Sequence, residues 1–289
     1  MNSARTNGFT TESARAWVPS CIAGALFFAI AMITCDAAAV PVAVRFPEGI
    51  THGFLLVRSM AGDVIGQGEL TQIVKQEDLV ESSLVFTFKD GSLHEEHVAF
   101  SQQRVFTLIW YQLIQQGTFF PKQIDVVMDR GTSTYRVRSS DGENGKDEVL
   151  TGDVDVPKDA YNGMLITALL NLPKGASETV HVIAFSPEPS VIKLELAFIG
   201  EHTIRIGDHS RKALRYAFKP DIGPIRKFFG QVLGKLPADF HYDCYILGDE
   251  VPAFVQFEGP LQLMGPTLRI ELISPRGHVS TGNEKHASR

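Results

Sequence analysis

The sequence predicts a mainly β protein: one large curved antiparallel sheet, shaped as an incomplete barrel, with one or two helices packed on it. Short segments rich in β-branched and aromatic residues follow one another from residue 53 to residue 273, separated by Gly, Asp and Asn at hairpin-like spacing. The chain shows no regular alternation of helical and strand patterns, which argues against a doubly wound fold. It also shows no sustained internal repeat, which argues against a solenoid.

The composition is that of an ordinary folded protein. Of the 289 residues, 44% are hydrophobic and 21% are charged, which is enough apolar material for a sizeable core. The formal net charge is −6, and the densest basic runs are the pairs Arg211-Lys212 and Arg226-Lys227. Because phosphate binding needs a clustered basic surface, a nucleic-acid partner is not expected.

The N-terminal region has the three parts of a secretory signal. Arg5 and Arg15 precede an uncharged stretch at residues 21–34, and Ala37-x-Ala39 offers a small-residue cleavage site. We therefore expect a signal peptide at residues 1–39, a single β-rich domain at residues 40–275, and a disordered polar tail at residues 276–289. The expected location is the periplasm or the exterior of the cell.

Two alternatives to cleavage remain open at this end of the chain. The apolar stretch is shorter than the approximately 20 residues that a membrane-spanning helix needs, but an uncleaved N-terminal membrane anchor is the competing interpretation. The run Met32-Ile33-Thr34-Cys35 also places a cysteine where a bacterial lipoprotein would be lipidated. Met32 and Thr34 depart from the usual pattern of Leu three residues before the Cys and Gly or Ala directly before it.

The clearest local pattern is a hairpin. Leu84, Phe86 and Phe88 alternate with other residues, and Asp90-Gly91 then turns the chain into a segment at residues 93–102. The next strand, at residues 104–116, is apolar on both faces, with Phe106, Leu108, Trp110 and Ile114 predicted on one of them. A strand that is apolar on both faces is expected in mid-sheet, covered on each side.

Two helices are predicted. The first spans residues 159–172, where Asp159 can cap the N-terminus, Met164, Leu165, Ala168 and Leu172 recur at helical spacing, and Pro173 follows. The second, shorter helix spans residues 223–233.

Aromatic residues on two strands that we predict to be neighbours suggest an apolar binding site. If the sheet curls and the first helix lies across it, the inner face and the helix would enclose a cavity for a lipid chain or another apolar ligand. The expected lining residues are Phe86, Phe88, Phe106, Trp110, Met164 and Leu165. The competing interpretation is a core filled by these same side chains.

Motifs for catalysis are sparse, and no cofactor is expected. The chain has no G-x-S-x-G, H-E-x-x-H, Walker or G-x-G-x-x-G motif. Asp239, His241 and Asp243 share one face of a predicted strand, which would suit a metal ion or acid–base catalysis. The competing interpretation is the exposed polar face of a half-buried strand. His94 and His97 are three apart on a strand, so they point to opposite faces and cannot bind one ion together. Cys244 lies on the predicted strand with His241 and Asp243 and is expected to be a buried core residue.

Several turn and packing motifs resemble those of a bacterial family of exported β-rich proteins of unknown function. They are Phe88-Lys89-Asp90-Gly91-Ser92, Glu95-Glu96, Phe100-Ser101-Gln102, Phe106, Gln115-x-Gly117, Phe120-Pro121, Val156-Pro157-Lys158-Asp159 and Asn162-Gly163-Met164. The resemblance covers residues 50–200 and implies no catalytic residues. Such proteins are broadly similar in architecture to periplasmic lipoprotein carriers of the Lol type, in which a curved sheet closed by helices shelters acyl chains.

The sequence thus leaves three functions open. The first is an exported envelope protein that binds a lipid or another apolar ligand in the curved sheet. The second is an envelope scaffold whose sheet edges bind a partner protein. The third is a secreted hydrolase or metal enzyme that uses Asp239, His241 and Asp243.

Overall fold

A computed structural model describes residues 41–76, 78–142, 145–185, 188–206, 209–221, 241–262 and 265–273. The chain divides into two units, Met1–Ala37 and Ala38–Arg289, and all described elements belong to the second. The predicted signal peptide, the second predicted helix and the predicted C-terminal tail lie outside the described residues, so they remain predictions.

The described part of the chain contains 14 strands and one helix. The strands are β1 (Thr51–Ser59), β2 (Val64–Gln76), β3 (Leu79–Phe88), β4 (Leu93–Gln102), β5 (Phe106–Gln116), β6 (Lys122–Asp129), β7 (Thr134–Asp141), β8 (Glu148–Asp153), β9 (Glu178–Phe185), β10 (Pro189–Ile206), β11 (His209–Pro220), β12 (Tyr242–Leu247), β13 (Ala253–Gly259) and β14 (Leu268–Ile273). The helix is α1 (Leu165–Leu170).

All 14 strands form one antiparallel sheet in the order β8-β7-β6-β5-β4-β3-β2-β1-β14-β13-β12-β11-β10-β9. The chain runs as two meanders that meet where β1 pairs with β14. The sheet curls strongly: β7 lies next to one edge and β9 forms the other, yet the ring centres of Tyr135 on β7 and Phe185 on β9 are only 6.4 Å apart. It is not closed into a barrel, since β8 and β9 do not pair, and the predicted fold class is confirmed.

The segment that joins β8 to β9, residues 154–177, crosses from one edge of the sheet to the other; we call it the crossover segment. It contains α1, and its buried side chains pack on one face of the sheet, which we call the inner face. The opposite face is the outer face. No described helix is long and apolar enough to cross a membrane.

The helix is much shorter than the predicted span of residues 159–172. Asp159 and Tyr161 instead pair with β9: the Tyr161 N–H donates to His181 O (2.9 Å) and the His181 N–H donates to Asp159 O (3.0 Å). Gly163 then turns the chain at φ 69° before α1 starts. These long-range bonds pair Asp159 O, which the predicted helix would have paired internally, and the Tyr161 N–H, which the first turn of a helix leaves without a backbone partner.

Two clusters of buried side chains cover the inner face. The larger core cluster joins β3–β6 and β9–β12 to the crossover segment, and it includes Phe106, Tyr111, Met164, Leu196 and Cys244. The smaller core cluster joins β1, β3 and β14 to the loop after β5; its members are Leu55, Val57, Phe86, Phe88, Phe120, Leu268 and Ile270. Cys244 is fully buried, as predicted, and burial raises the pKa of its thiol.

Candidate functional site

The six predicted lining residues do not come together around one space. Phe86 and Phe88 lie in the smaller core cluster, whereas Phe106 and Met164 lie in the larger one. The two strands that we predicted to be neighbours, β3 and β5, are separated by β4. The four side chains are at most 4% exposed, and they pack against other side chains of the protein.

Trp110 lies on the outer face, so its predicted placement beside Phe106 and Leu108 is wrong. In the pairing of β4 with β5, Ala99 faces Trp110 and Phe100 faces Leu108, which leaves Ile109 as an extra residue in a β-bulge. A bulge reverses the alternation of side chains after it. The inner face of β5 therefore continues from Leu108 to Tyr111.

Leu165 is the first residue of α1 and is half-buried against the larger core cluster. Among the predicted lining residues, it shares that cluster with Phe106 and Met164. A ligand-binding role for any of the six residues stays a prediction.

Arg130 ties the crossover segment to the sheet. It lies in the turn between β6 and β7, and its guanidinium donates to Leu108 O (2.5 Å), Val156 O (2.7 Å) and Pro157 O (2.6 Å). Desolvation lowers the pKa of Arg130. One side chain thus holds the start of the crossover segment against β5.

Asn162 holds the middle of the crossover segment along the edge of β9. Its side-chain amide accepts a hydrogen bond from the Ile183 N–H (2.8 Å) and donates one to Ile183 O (2.8 Å), which replaces the neighbouring strand that this edge lacks. Beside this contact, the Asp159 carboxylate lies 2.7 Å from Nδ1 of His181.

The N-terminal end of the domain is fixed to the crossover segment as well. The Asn171 side-chain oxygen accepts from the backbone N–H groups of both Arg45 (2.8 Å) and Phe46 (2.7 Å). The Tyr161 hydroxyl accepts from the Val42 N–H (2.7 Å). Residues 42–46 therefore hold the crossover segment in place at Tyr161 and Asn171.

A buried polar layer lies on the inner face of β4 and β5. The Tyr111 hydroxyl donates to the Glu96 carboxylate at 2.8 Å, and desolvation raises the pKa of both groups. Two residues before Glu96 on β4, His94 contacts the Gln115 amide at 3.1 Å, and burial lowers the pKa of His94 to about 4. His97 lies on the outer face, 3.5 Å from Glu95, as the strand geometry predicted.

The predicted metal or catalytic group is only partly described, because Asp239 lies outside the described residues. His241 Nε2 and Asp243 Oδ2 are 3.6 Å apart on the outer face. Both oxygens of Asp243 accept hydrogen bonds from Arg215 at 2.9 Å. Within the described ranges, no group of three or more His, Cys, Asp or Glu side chains could hold a metal ion.

An open groove lies beside β8 on the outer face. Its volume is about 450 Å³, and its lining includes Val127, Asp129, Thr134, Arg136, Thr151 and Asp153. A second, smaller pocket of about 80 Å³ lies between Arg45, Leu172 and Tyr216. Sites for drug-sized ligands occupy about 300–1,000 Å³, so only the first has the size of a binding site.

The two edges of the sheet differ. The edge of β9 is covered by residues 159–162 of the crossover segment, through the backbone and Asn162 contacts given above. The edge of β8 is the other end of the strand order, and none of the described residues pairs with it. The sequence did not predict β8 or the roles of Arg130 and Asn162, because these features depend on contacts between residues distant in the chain.

Searches among protein-family models, curated proteins and solved structures find no match to this chain. The resemblance to exported β-rich proteins and to periplasmic lipoprotein carriers therefore stays a prediction.

Proposed function

We propose that this chain is an exported protein of the cell envelope that acts by binding a partner protein on the surface of its sheet. The observation that supports the proposal most is that the inner face is filled by the protein's own side chains. The export signal predicted from the sequence supports the location.

The inner face offers little to a lipid. Phe86, Phe106 and Met164 are at most 2% exposed, so each already has a close-packed environment. Among the described residues, every buried side-chain N or O atom has a hydrogen-bond partner. Within the described part of this core, no buried side-chain N or O atom is left without a partner to orient a ligand headgroup.

Opening the inner face would require the crossover segment to leave the sheet. That movement would break the contacts of Arg130, Asn162, Tyr161 and Asn171 at once. Each hydrogen bond contributes about 1 kcal/mol net, and a domain has only about 5–15 kcal/mol of total stability. The segment therefore acts as a fixed part of the core, and the outer face and the edges are left for binding.

The test is native mass spectrometry of the chain isolated gently from the envelope fraction of its own cells. The proposal expects a lipid-free protein that is present partly in a complex with a second protein. Fractionation of the same cells should place the chain in the envelope.

Two results would contradict the proposal. A lipid released on denaturation would favour carriage of an apolar ligand inside the sheet. A lipid-free chain with no partner, or a chain confined to the cytoplasm, would remove the basis for an envelope interaction protein.

A further inference from the structure

We infer that the free edge of β8 binds an extended basic peptide segment of the partner, which adds a fifteenth strand to the 14-stranded sheet. This inference rests on the proposed function and names the surface and the chemistry of the partner. Three observations carry it: the unpaired backbone of β8, the charge along this edge, and the groove beside it.

The direction of the backbone groups on β8 follows from its pairing with β7. The Val154 N–H donates to Ser133 O (2.8 Å), directly after the register in which Asp153 faces Thr134. In an antiparallel strand, alternate residues direct their N–H and C=O groups to opposite neighbours. Val149, Thr151 and Asp153 therefore present these groups to the open side.

The contrast with β9 shows that this opening is specific to one edge. An unpaired edge promotes unwanted association, and proteins commonly cover it. Here residues 159–162 cover β9, whereas β8 keeps a run of unpaired donors and acceptors in the described part of the chain. An open edge of this kind can pair with an added strand.

The charge along the edge selects a basic partner. Residues 147–155 contain four acidic residues, Asp147, Glu148, Asp153 and Asp155, and no basic residue. Of these, Asp147 pairs with Arg138 at 3.1 Å, with both side chains 56% exposed. Glu148, Asp153 and Asp155 are exposed and can contact Lys or Arg side chains of an added strand.

The same charge disfavours a second copy of this chain as the occupant. Antiparallel pairing of β8 with its own copy would bring two acidic edges together without a basic residue between them. Like charges on facing strands destabilise the pair. A basic segment of another protein meets no such repulsion.

The groove supplies room for side chains of the added strand. It extends over the outer face from Val127 on β6 to Thr151 and Asp153 on β8, with a volume of about 450 Å³. Asp129 and Asp153 place two carboxylates in its wall, and the one basic lining residue, Arg136, already pairs with Asp125 at 3.5 Å. Alternate side chains of a bound strand would point into this groove, and basic ones would meet these carboxylates.

The experiment uses the purified protein and a fluorescent eight-residue peptide in which Lys and Arg alternate with Val and Thr, with binding followed by anisotropy. A matched peptide carries Glu in place of Lys and Arg. We expect the basic peptide to bind, its affinity to fall with added NaCl, and the acidic peptide not to bind. Equal binding of both peptides would overturn the inference.

Two variants of one residue separate backbone pairing from side-chain contact. Thr151→Pro removes an N–H that points to the open side, a change that an edge strand tolerates. It should weaken the binding of the basic peptide at least tenfold. Thr151→Val keeps the N–H and should bind as the wild type does. Unchanged affinity in the Pro variant, with an unchanged melting temperature, would refute strand addition.

A charge variant covers the case in which the Pro variant does not fold. The double variant Glu148→Lys, Asp153→Lys reverses two exposed charges. It should no longer bind the basic peptide and should bind the acidic one. Sedimentation should give a monomer; a dimer that β8 variants abolish would mean that a second copy is the occupant. If no peptide binds while native mass spectrometry shows a protein complex, this inference fails and the proposed function stands.

Discussion

Replacing Arg130 should loosen the crossover segment and lower the stability of the whole domain. Its guanidinium donates to three carbonyl oxygens, one on β5 and two on the crossover segment. Arg130→Met keeps most of the side-chain length and removes every donor. Arg130→Lys keeps the charge but replaces the planar fork with a compact ammonium that cannot reproduce the three-way geometry.

The expected loss of folding stability in Arg130→Met follows from these three hydrogen bonds. A hydrogen bond with a charged partner contributes about 1.5–3 kcal/mol, but three bonds of one side chain are not additive. The guanidinium is only half-buried, so water can reach some of the carbonyl oxygens in the Met variant. We expect Arg130→Met to cost about 2–4 kcal/mol, which lowers the melting temperature of a domain of this size by about 5–15 °C. Arg130→Lys should fall between the Met variant and the wild type.

Urea denaturation of the three proteins measures the stability, and hydrogen exchange locates the effect. Amides of residues 154–162 should exchange faster in the Met variant, while those of β2 and β3 should change only as global stability does. Stability of Arg130→Met within about 0.5 kcal/mol of the wild type, the ordinary range of a surface substitution, would refute the assignment of Arg130 as a tie.

Three further changes test the inner face and the covered edge of β9. Gly68→Ala should cost about 1–3 kcal/mol, because the added Cβ would overlap the Phe86 ring. In urea denaturation, Phe86→Leu should recover part of this loss, and additive effects of the two changes would contradict the contact. Asn162→Ala leaves a buried backbone N–H and C=O of β9 unpaired and should cost about 2–4 kcal/mol, with faster amide hydrogen exchange along β9. Unchanged hydrogen exchange there would contradict the two hydrogen bonds between Asn162 and Ile183. The pKa of His94 is lowered from 6.5 to about 4, so the unfolded chain takes up a proton that the native protein does not, and stability falls as the pH drops through this window. His94→Gln should remove about 3 kcal/mol of that pH dependence. The raised pKa of Glu96 acts in the opposite direction, but Glu96 is present in both proteins. A stability difference between the wild type and His94→Gln that stays constant from pH 6.5 to 4 would contradict a neutral buried His94.

Most of the sheet could be predicted from local patterns. The hairpin at Asp90-Gly91 and the alternation of Leu84, Phe86 and Phe88 give β3 and β4 directly, because period-2 burial and turn chemistry are both local. β10 is one long strand with an irregularity in its pairing between Phe198 and Gly200, and Gly200 adopts φ 145° there.

The remaining features depend on contacts that a single sequence does not display. β8 has four exposed residues and no alternation of apolar side chains, so nothing in its sequence distinguished it from a loop. The bulge at Ile109 placed Trp110 on the outer face, and an extra residue in one strand is visible only from its partner. Residues 159–172 have helical spacing, but the edge of β9 binds the first three of them.

The most direct test of a binding role for the β8 edge is photocrosslinking in the native cells. A benzophenone amino acid replaces either Val149 on β8 or Val191 on β10; both are exposed valines, at 61% and 41%. Position 149 should give one discrete crosslink to an envelope protein, which the Thr151→Pro change abolishes, and position 191 should give none. Crosslinks that are absent at both positions, equal at both, or formed only with lipid would contradict the account.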